Sequence, residues 1–180
     1  MAAKEIETLS SRIAYKNRWM QVREDEIKRL DGSLGIYGVV EKPDYALIVP
    51  IIGESVVMVE QYRYPIGERV IEFPQGSRED EDVGSLELAI SELREETGYC
   101  AKKIEHIGFI YQAYGYSNQK CDVFMASELI EGIQELENEE QGLIVKKFRI
   151  EEVEEMIKDG LIRDNASISS FCLLRMKGKI

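Results

Sequence analysis

Histidine is nearly missing from this sequence of 180 residues, which contains only His106. A single histidine excludes most catalytic schemes in which an imidazole activates a serine or a cysteine nucleophile. His106 begins the apolar stretch HIGFIY, which predicts a strand, so we interpret this residue as part of a strand end. The chemistry must therefore come from other side chains.

Cysteine and long apolar runs are also scarce. The three cysteines, Cys100, Cys121 and Cys172, show no CxxC spacing, which argues against a disulfide framework and against a zinc knuckle. The N-terminal segment lacks the apolar stretch of a secretory signal. The strongest apolar run, residues 45–52, contains Pro50 and is far shorter than the roughly 20 residues that span a bilayer. We therefore expect a cytoplasmic protein without a membrane segment.

Basic residues are too few to favour binding to nucleic acid. The sequence has 23 Lys and Arg against 34 Asp and Glu, and its formal net charge is −11. A nucleic-acid binder needs a positive field that displaces counterions. An acidic protein can still act on a small anion when metal ions neutralise its site locally. The composition therefore favours a small-molecule partner and no nucleic acid.

Strand-like segments dominate the chain, with helices interspersed, which predicts an α+β sandwich. The alternating N-terminal segments end at Lys42-Pro43-Asp44, which breaks the pattern. We therefore expect residues 1–43 to form a small antiparallel β-layer and residues 44–180 to form the main domain. Strands are predicted at 19–23, 25–30, 34–40, 46–52, 55–64, 68–73, 106–114, 119–129 and 143–148, and helices at 83–97, 150–158 and 165–176.

Turn residues and polar runs mark the connections between these segments. Asp31-Gly32-Ser33 predicts a hairpin turn, and Gly160 is predicted to end the second helix. The acidic run at residues 128–142 has little periodicity and is interpreted as a long loop.

The first predicted helix carries an unusual concentration of carboxylates. At 3.6 residues per turn, Glu92 and Glu96 lie together, whereas Glu95 points further towards solvent. Like charges four residues apart repel each other, and divalent cations, which prefer carboxylate oxygens, would relieve that repulsion. The helix is predicted to face the core with Leu86, Ala89, Ile90, Leu93 and Thr97.

Two other interpretations compete for this acidic segment. A solvated acidic helix face is the usual outcome of a run of charges. A calcium-binding loop that starts at Asp80 fails, because Ser85 stands where such a loop needs glycine and Ser91 stands where it needs glutamate.

The segment SELREETGY resembles the end of the Nudix box, GX5EX7REUXEEXGU, in which U is an apolar residue. Glu92, Leu93, Glu95, Glu96 and Gly98 match that pattern, and Tyr99 occupies its last apolar position. The stretches VVMVEQYRYP, VIEFPQG and GFIYQAYGYSNQK resemble the branch of ADP-ribose and nucleoside-diphosphate-sugar pyrophosphatases. The resemblance implies a Nudix α/β/α sandwich with a mixed central sheet. It also implies an N-terminal β-layer that relatives exchange across a homodimer.

The resemblance implies a metal-dependent hydrolase that splits the diphosphate of a nucleotide sugar, with Mg²⁺ or Mn²⁺ as cofactor. Glu92 and Glu96 would be metal ligands, Glu95 a further or water-mediated ligand, and the carbonyl of Gln75 would complete the coordination. In this branch the catalytic base often lies on a loop after the core strands. The candidates for the base are Glu137, Glu139 and Glu140.

The same resemblance implies four substrate-binding residues. Arg63 would clamp phosphate, and Lys42 matches a second cationic position. Trp19 and Tyr37 stand where aromatic rings could sandwich an adenine.

The sequence departs from the family pattern at three places. Ser91 replaces the box arginine, for which Arg94 or Arg78 could substitute. The segment before Ser91 is one residue longer than the pattern, so the first box glutamate falls on Val83, beside Glu81 and Asp82. The expected proline after the box is replaced within Ala113-Tyr114-Gly115. A domain that binds nucleotide without turnover and a dinucleoside polyphosphate hydrolase therefore stay open as alternatives.

Overall fold

The structure is a computed structural model of the chain, and it describes residues 5–77, 83–136 and 140–180. The chain folds into two compact units. One unit contains the described residues up to Asp44 together with Tyr111–Lys120, and the other contains Tyr45–Ile110 and Cys121–Ile180.

The first unit contains a three-stranded antiparallel sheet. Its strands, in the order β1-β2-β3, are β1 (Ile6–Lys16), β2 (Gln21–Arg29) and β3 (Leu34–Glu41). The predicted turn between β2 and β3 is confirmed: Gly32 adopts a φ of 81°, and the amide of Ser33 donates a hydrogen bond to Asp31. Strand β1 was not predicted from the sequence, and all of its residues are exposed.

The second unit is built on a mixed sheet of seven strands. They are β4 (Tyr45–Ile52), β5 (Ser55–Arg63), β6 (Glu68–Glu72), β7 (Gln75–Gly76), β8 (Tyr99–Tyr111), β9 (Lys120–Glu131) and β10 (Ile144–Arg149). The main order is β10-β5-β4-β9-β8, with β6 beside β5 and β7 beside β4. Strand β4 runs antiparallel to β5 and parallel to β9. The predicted loop at 128–142 begins later than expected, because β9 continues to Glu131.

Helices cover both faces of this sheet, which confirms the predicted sandwich. They are α1 (Ser85–Thr97), α2 (Ile150–Lys158) and α3 (Asn165–Met176). The side chains of β4 alternate: Leu47 and Val49 pack with α2 and α3, whereas Ala46 and Ile48 pack with α1. Gly160 follows α2 with a φ of 71°, as predicted. Among the described residues, none of these helices has the length and apolar character needed to cross a membrane.

The buried face of α1 differs from the prediction. Leu86 and Ile90 were expected to face the core, but they are 43% and 46% exposed. Ala89, Leu93 and Thr97 are buried as expected. The remainder of the buried face is formed by Leu88, Glu92 and Glu96. The reason is that α1 packs against β7 as well as β4, so the side that carries the two glutamates is covered.

Candidate active site

Strand β7 brings main-chain atoms against two carboxylates of α1. It is held in place by β4, since Gln75 pairs with Leu47 and Gly76 pairs with Ala46. The amide of Gln75 donates a hydrogen bond to Oε2 of Glu96 at 3.1 Å. A Cβ atom at position 76 would lie 2.5 Å from Oε1 of Glu92, so this close approach requires glycine.

A third carboxylate completes the cluster. Ligand oxygens of Glu92, Glu96 and Glu140 all lie within 4.8 Å of one another. Glu92 and Glu96 are buried, with Glu96 only 1% exposed. Burial raises the pKa of Glu96 well above its ordinary value, and the charges of Glu92 and Glu140 add to this effect. A divalent cation bound among these carboxylates would offset their repulsion.

Arg63 forms an ion pair with Glu72, which was not predicted from the sequence. Its guanidinium donates to both oxygens of Glu72, and Gln61 donates to Oε1 of the same carboxylate at 2.7 Å. Burial raises the pKa of Glu72, while the charge of Arg63 opposes that rise. The sequence carried a signal, because Glu72 shares the inward face of β6 with Val70, and a carboxylate on an apolar face needs a partner.

Asp164 links α3 to β7. Its Oδ2 accepts a hydrogen bond from the amide of Ser167 at 2.8 Å and caps α3. The same oxygen accepts from Nε2 of Gln75 at 3.2 Å. The Ser167 hydroxyl in turn accepts from the amide of Phe73 at 2.8 Å. The strand that contacts Glu96 is therefore also fixed to α3.

The segment after β9 is attached to the C-terminal end of α1. The amide of Glu135 donates to the carbonyl of Glu95 at 3.0 Å, and the side chain of Gln134 donates to the carbonyl of Glu96 at 2.6 Å. Gly98 ends α1 with a φ of 75°, and a Cβ there would lie 2.9 Å from the amide nitrogen of Gln134. Of the three base candidates, Glu140 is described, whereas Glu137 and Glu139 lie outside the described residues.

Comparison with known proteins identifies the family. Residues 42–169 match the model of the NUDIX domain, and residues 6–40 match that of the nucleoside diphosphate sugar hydrolase N-terminal domain. The chain belongs to the Nudix family. It is thus a Nudix hydrolase, a class that uses divalent metal ions.

Full-length relatives and a solved structure extend this likeness. The Nudix hydrolase is 24% identical over 180 residues to an ADP-ribose pyrophosphatase of Bacillus subtilis, covering 98% of this chain and 96% of the relative. It is 28% identical over 171 residues to an ADP-ribose pyrophosphatase of Mycobacterium tuberculosis, covering 94% and 83% of the two chains. A crystal structure of an ADP compounds hydrolase has the same fold, with a TM-score of 0.85, 18% identity and full coverage of both chains.

The structure of this Nudix hydrolase shows which residues surround the positions that depart from the box. Ser91, in place of the box arginine, donates from Oγ to Oε1 of Glu95 at 2.7 Å. Nη2 of Arg94 lies 3.3 Å from the same oxygen. Val83 packs beside the core under α1. Arg78, Glu81 and Asp82 lie outside the described residues.

The remaining candidates of the Nudix hydrolase belong to the first unit. Trp19 is exposed in the connection between β1 and β2, and Lys42 is exposed just after β3. The hydroxyl of Tyr37 donates to the carbonyl of Gly115 at 3.0 Å. Val40 of the same strand donates its amide to the carbonyl of Tyr116 at 2.7 Å. Tyr37 therefore helps to hold the turn that carries Tyr114, an observation that its sequence pattern did not predict.

Proposed function

We propose that this Nudix hydrolase splits the diphosphate of ADP-ribose, or of a closely related nucleotide sugar, into AMP and a sugar phosphate. The observation that carries the proposal is the cluster of Glu92, Glu96 and Glu140, whose oxygens lie within 4.8 Å of one another. The match of residues 6–40 to a nucleoside diphosphate sugar hydrolase domain and the names of the two relatives support the choice of substrate.

Glu92, Glu96 and the carbonyl of Gln75 would hold Mg²⁺ or Mn²⁺, with Glu95 as a further or water-mediated ligand. Such an ion offsets the charge of the diphosphate, lowers the pKa of the attacking water and holds that water in line. The amide of Gln75 fixes Oε2 of Glu96, so the carboxylate is oriented before the cation binds. The buried position of Glu96 favours binding of a cation, because an uncompensated negative charge is unstable there.

The proton of the attacking water would pass to a loop carboxylate. Glu140 stands beside both α1 carboxylates, and a general base must lie within hydrogen-bonding reach of the water that it activates. Glu137 and Glu139, earlier in the same segment, are the alternative bases. Comparison of Glu137→Gln, Glu139→Gln and Glu140→Gln distinguishes them, because only the loss of the true base removes the acidic limb of the pH profile of kcat.

Substrate recognition would rest on four further side chains. Arg63 would bind phosphate through its planar guanidinium, and Glu72 fixes the orientation of that group. Lys42 would supply a second positive charge. Trp19 and Tyr37 would hold the adenine by stacking, which gives affinity without charge.

We further propose that residues 1–43 serve base binding and the formation of a homodimer, and that residues 44–180 carry the hydrolase site. All eleven residues of β1 are exposed, and they include Leu9, Ile13 and Tyr15. A second copy of the chain would remove this apolar surface from water. The three free cysteines suit a reducing compartment, which supports a cytoplasmic location.

The deciding experiment measures release of AMP from ADP-ribose with Mg²⁺ and then with Mn²⁺. Wild type is compared with Glu96→Gln and with Glu87→Gln, a matched change at an exposed glutamate of the same helix. We expect release by the wild type and by Glu87→Gln, and a loss of about 100-fold or more in Glu96→Gln. Cleavage of a dinucleoside polyphosphate in preference to ADP-ribose would overturn the substrate assignment. Stabilisation by ADP-ribose without any turnover would overturn hydrolysis itself.

A further inference from the structure

Glu140 is followed directly by a tight turn. The amide of Leu143 donates a hydrogen bond to the carbonyl of Glu140 at 3.0 Å, which closes a turn of four residues. Gly142 adopts a φ of 87° in this turn, a conformation that favours glycine at the third position. The side chain of Leu143 is buried, so the end of the turn is anchored by packing. The turn therefore restrains the main chain next to the carboxylate that meets Glu92 and Glu96.

Arg69 of β6 joins this turn to strand β5. Its Nη2 atom donates to the carbonyl of Gly142 at 2.9 Å and to the carbonyl of Glu60 at 3.0 Å. Its Nε atom donates to Oε1 of Glu60 at 2.7 Å. A planar guanidinium makes these bonds in a fixed geometry, which a lysine ammonium does not reproduce. Because β5 and β6 are paired, Arg69 ties the turn after Glu140 to the sheet.

The bond to the turn is what distinguishes Arg69 from the second cation near Glu60. Lys146 of β10 pairs with the other oxygen of that carboxylate, so Glu60 keeps a cationic partner without Arg69. The side chain of Arg69 is 39% exposed, and an ion pair with that exposure contributes little to stability. The main contribution of Arg69 is therefore to hold the carbonyl of Gly142.

We propose that Arg69 is a positioning residue that holds Glu140 beside the carboxylates of α1 and thereby strengthens binding of the divalent cation. Ligand oxygens of Glu92, Glu96 and Glu140 lie within 4.8 Å of one another. A carboxylate in this position attracts a cation directly or through a bound water, so a shift of the turn weakens cation binding. This inference rests on the cation site of the proposed function and not on the identity of the substrate.

The test measures binding of Mn²⁺ to the substrate-free protein, by electron paramagnetic resonance of the unbound ion. Arg69→Gln removes the planar fork, and Arg69→Lys keeps the charge alone. Lys146→Gln is the matched control, because it breaks the other ion pair of Glu60 and leaves the bond from Arg69 to Gly142 in place. Glu140→Gln and the double variant Arg69→Gln/Glu140→Gln complete a double-mutant cycle, which shows whether Arg69 acts through Glu140.

A second pair of variants disturbs the turn without touching Arg69. Gly142→Ala puts a side chain at a left-handed φ, and Gly53→Ala does the same in the turn between β4 and β5, where φ is 59°. At both positions a Cβ would meet nothing within 4 Å, so backbone strain is the shared effect. Thermal unfolding without metal should therefore change by a similar amount in the two variants.

We expect Arg69→Gln and Gly142→Ala to weaken Mn²⁺ binding about tenfold, within the range for residues that orient a metal ligand. Arg69→Lys should weaken binding less than Arg69→Gln does. Lys146→Gln and Gly53→Ala should stay within about twofold of the wild type. In the Glu140→Gln background, Arg69→Gln should change the affinity by less than about twofold, because the carboxylate through which it acts is already lost.

Unchanged Mn²⁺ affinity in Arg69→Gln or in Glu140→Gln overturns the inference. Equal weakening by Lys146→Gln, or an effect of Arg69→Gln that persists in the Glu140→Gln background, overturns it as well. Failure of the wild type to release AMP from ADP-ribose would overturn the proposed substrate alone, since the Mn²⁺ measurement uses no substrate. Failure of the wild type to bind Mn²⁺ would overturn both the cation site and the role of Arg69.

Discussion

The amide nitrogen of Gln75 lies 3.1 Å from Oε2 of Glu96, so a two-residue strand sets the position of the most buried carboxylate in the cluster. The side chain of Gln75 continues to Asp164, the cap of α3. One residue thereby joins α1, β7 and α3 at the site. The geometry of the carboxylates depends on this packing as much as on the helix that carries them.

Replacing Gly76 should damage the site more than the fold. In Gly76→Ala the new Cβ would lie within 2.6 Å of the carboxylate atoms of Glu92, and that flexible group must move. We expect hydrolysis to fall by about 10- to 100-fold, since a ligand is displaced. Stability should drop by less than about 1 kcal/mol, because side-chain movement relieves the clash. Gly38→Ala is the control, since a Cβ there meets nothing within 4 Å. Kinetics and urea unfolding measure the two effects, and equal activity in both variants would contradict the prediction.

Removing the cap of α3 should destabilise the second unit. Asp164→Ala loses the bond from Ser167 and the bond from Gln75. We expect a loss of about 1–2 kcal/mol, typical of an N-cap, and a fall in Tm of about 2–4 °C for each kcal/mol. Asp159→Ala, at the C-terminal end of α2, should change Tm little. Circular dichroism during heating provides the measurement, and an unchanged Tm in Asp164→Ala would count against the capping role.

Glu72 should make the free energy of unfolding fall as pH rises. Burial raises its pKa in the folded protein above the ordinary 4.5, so the folded state keeps a proton that the unfolded chain has released. The stabilisation is complete below pH 4.5 and is lost as pH rises through the folded pKa. The glutamine of Glu72→Gln does not titrate, so this variant should lose the part of the pH dependence of the free energy of unfolding that comes from Glu72.

Glu60 provides a control of opposite sign for that measurement. Its hydrogen bond from Lys146 lowers its pKa, so its stabilisation is present at higher pH and is lost as pH falls. Without metal, urea midpoints at about pH 5 and about pH 8 compare Glu72→Gln with the wild type. Midpoints at about pH 3 and about pH 5 compare Glu60→Gln with the wild type, because the stabilisation by Glu60 changes only below its ordinary pKa. Differences of the same sign in both variants would show that the assigned causes are wrong.

Trp19→Ala should weaken binding of the substrate while leaving the chemistry intact. If the indole stacks on adenine, its loss costs about 1 kcal/mol, so KM for ADP-ribose should rise by about fivefold and kcat should change little. Trp19→Phe keeps an aromatic face, so its KM should lie between those of the wild type and of Trp19→Ala. Steady-state kinetics measure KM and kcat for the three proteins. A KM in Trp19→Ala equal to that of the wild type would limit Trp19 to packing of the β-layer.

A charge placed on β1 should separate the proposed homodimer. Ile13 is 50% exposed in the chain, and Ile13→Glu would put a carboxylate into an interface that buries it. We expect sedimentation of the wild type as a dimer and of Ile13→Glu as a monomer at micromolar concentration. Met176→Glu, on the exposed end of α3, is the control and should remain a dimer. A monomeric wild type would refute the proposal.

The sequence predicted those elements whose local signals agree with their packing. Helix α3 was located at its observed bounds, and Gly160 follows the end of α2 as predicted, because cap residues define helix ends locally. The pair of Glu92 and Glu96 followed from helical spacing alone. Their meeting with Glu140 did not, because it depends on tertiary contacts, among them the hydrogen bonds of Gln134 and Glu135 to α1.

Other elements lacked a local signal. Strands are predicted from an alternation of polar and apolar residues, which arises where one face of the strand is buried. Every residue of β1 is exposed, so this signal is weak in its sequence. The predicted apolar stripe of α1 was right for Ala89, Leu93 and Thr97 but wrong for Leu86 and Ile90, because burial follows the side that β7 covers. Glu72 was passed over because the energetic cost of its burial is met by Arg63, a partner on another strand.

The parallel pairing of β4 with β9 has a consequence for how the chain reaches its native state. Tyr45 pairs with Cys121, so β4 leaves the ribosome roughly 75 residues before the strand that completes its hydrogen bonding on that side. During that interval one of the most apolar stretches of the protein can pair only with β5 and β7. Refolding should therefore be limited by this late closure, and the nascent chain should depend on chaperones until the second half of the sheet has been synthesised.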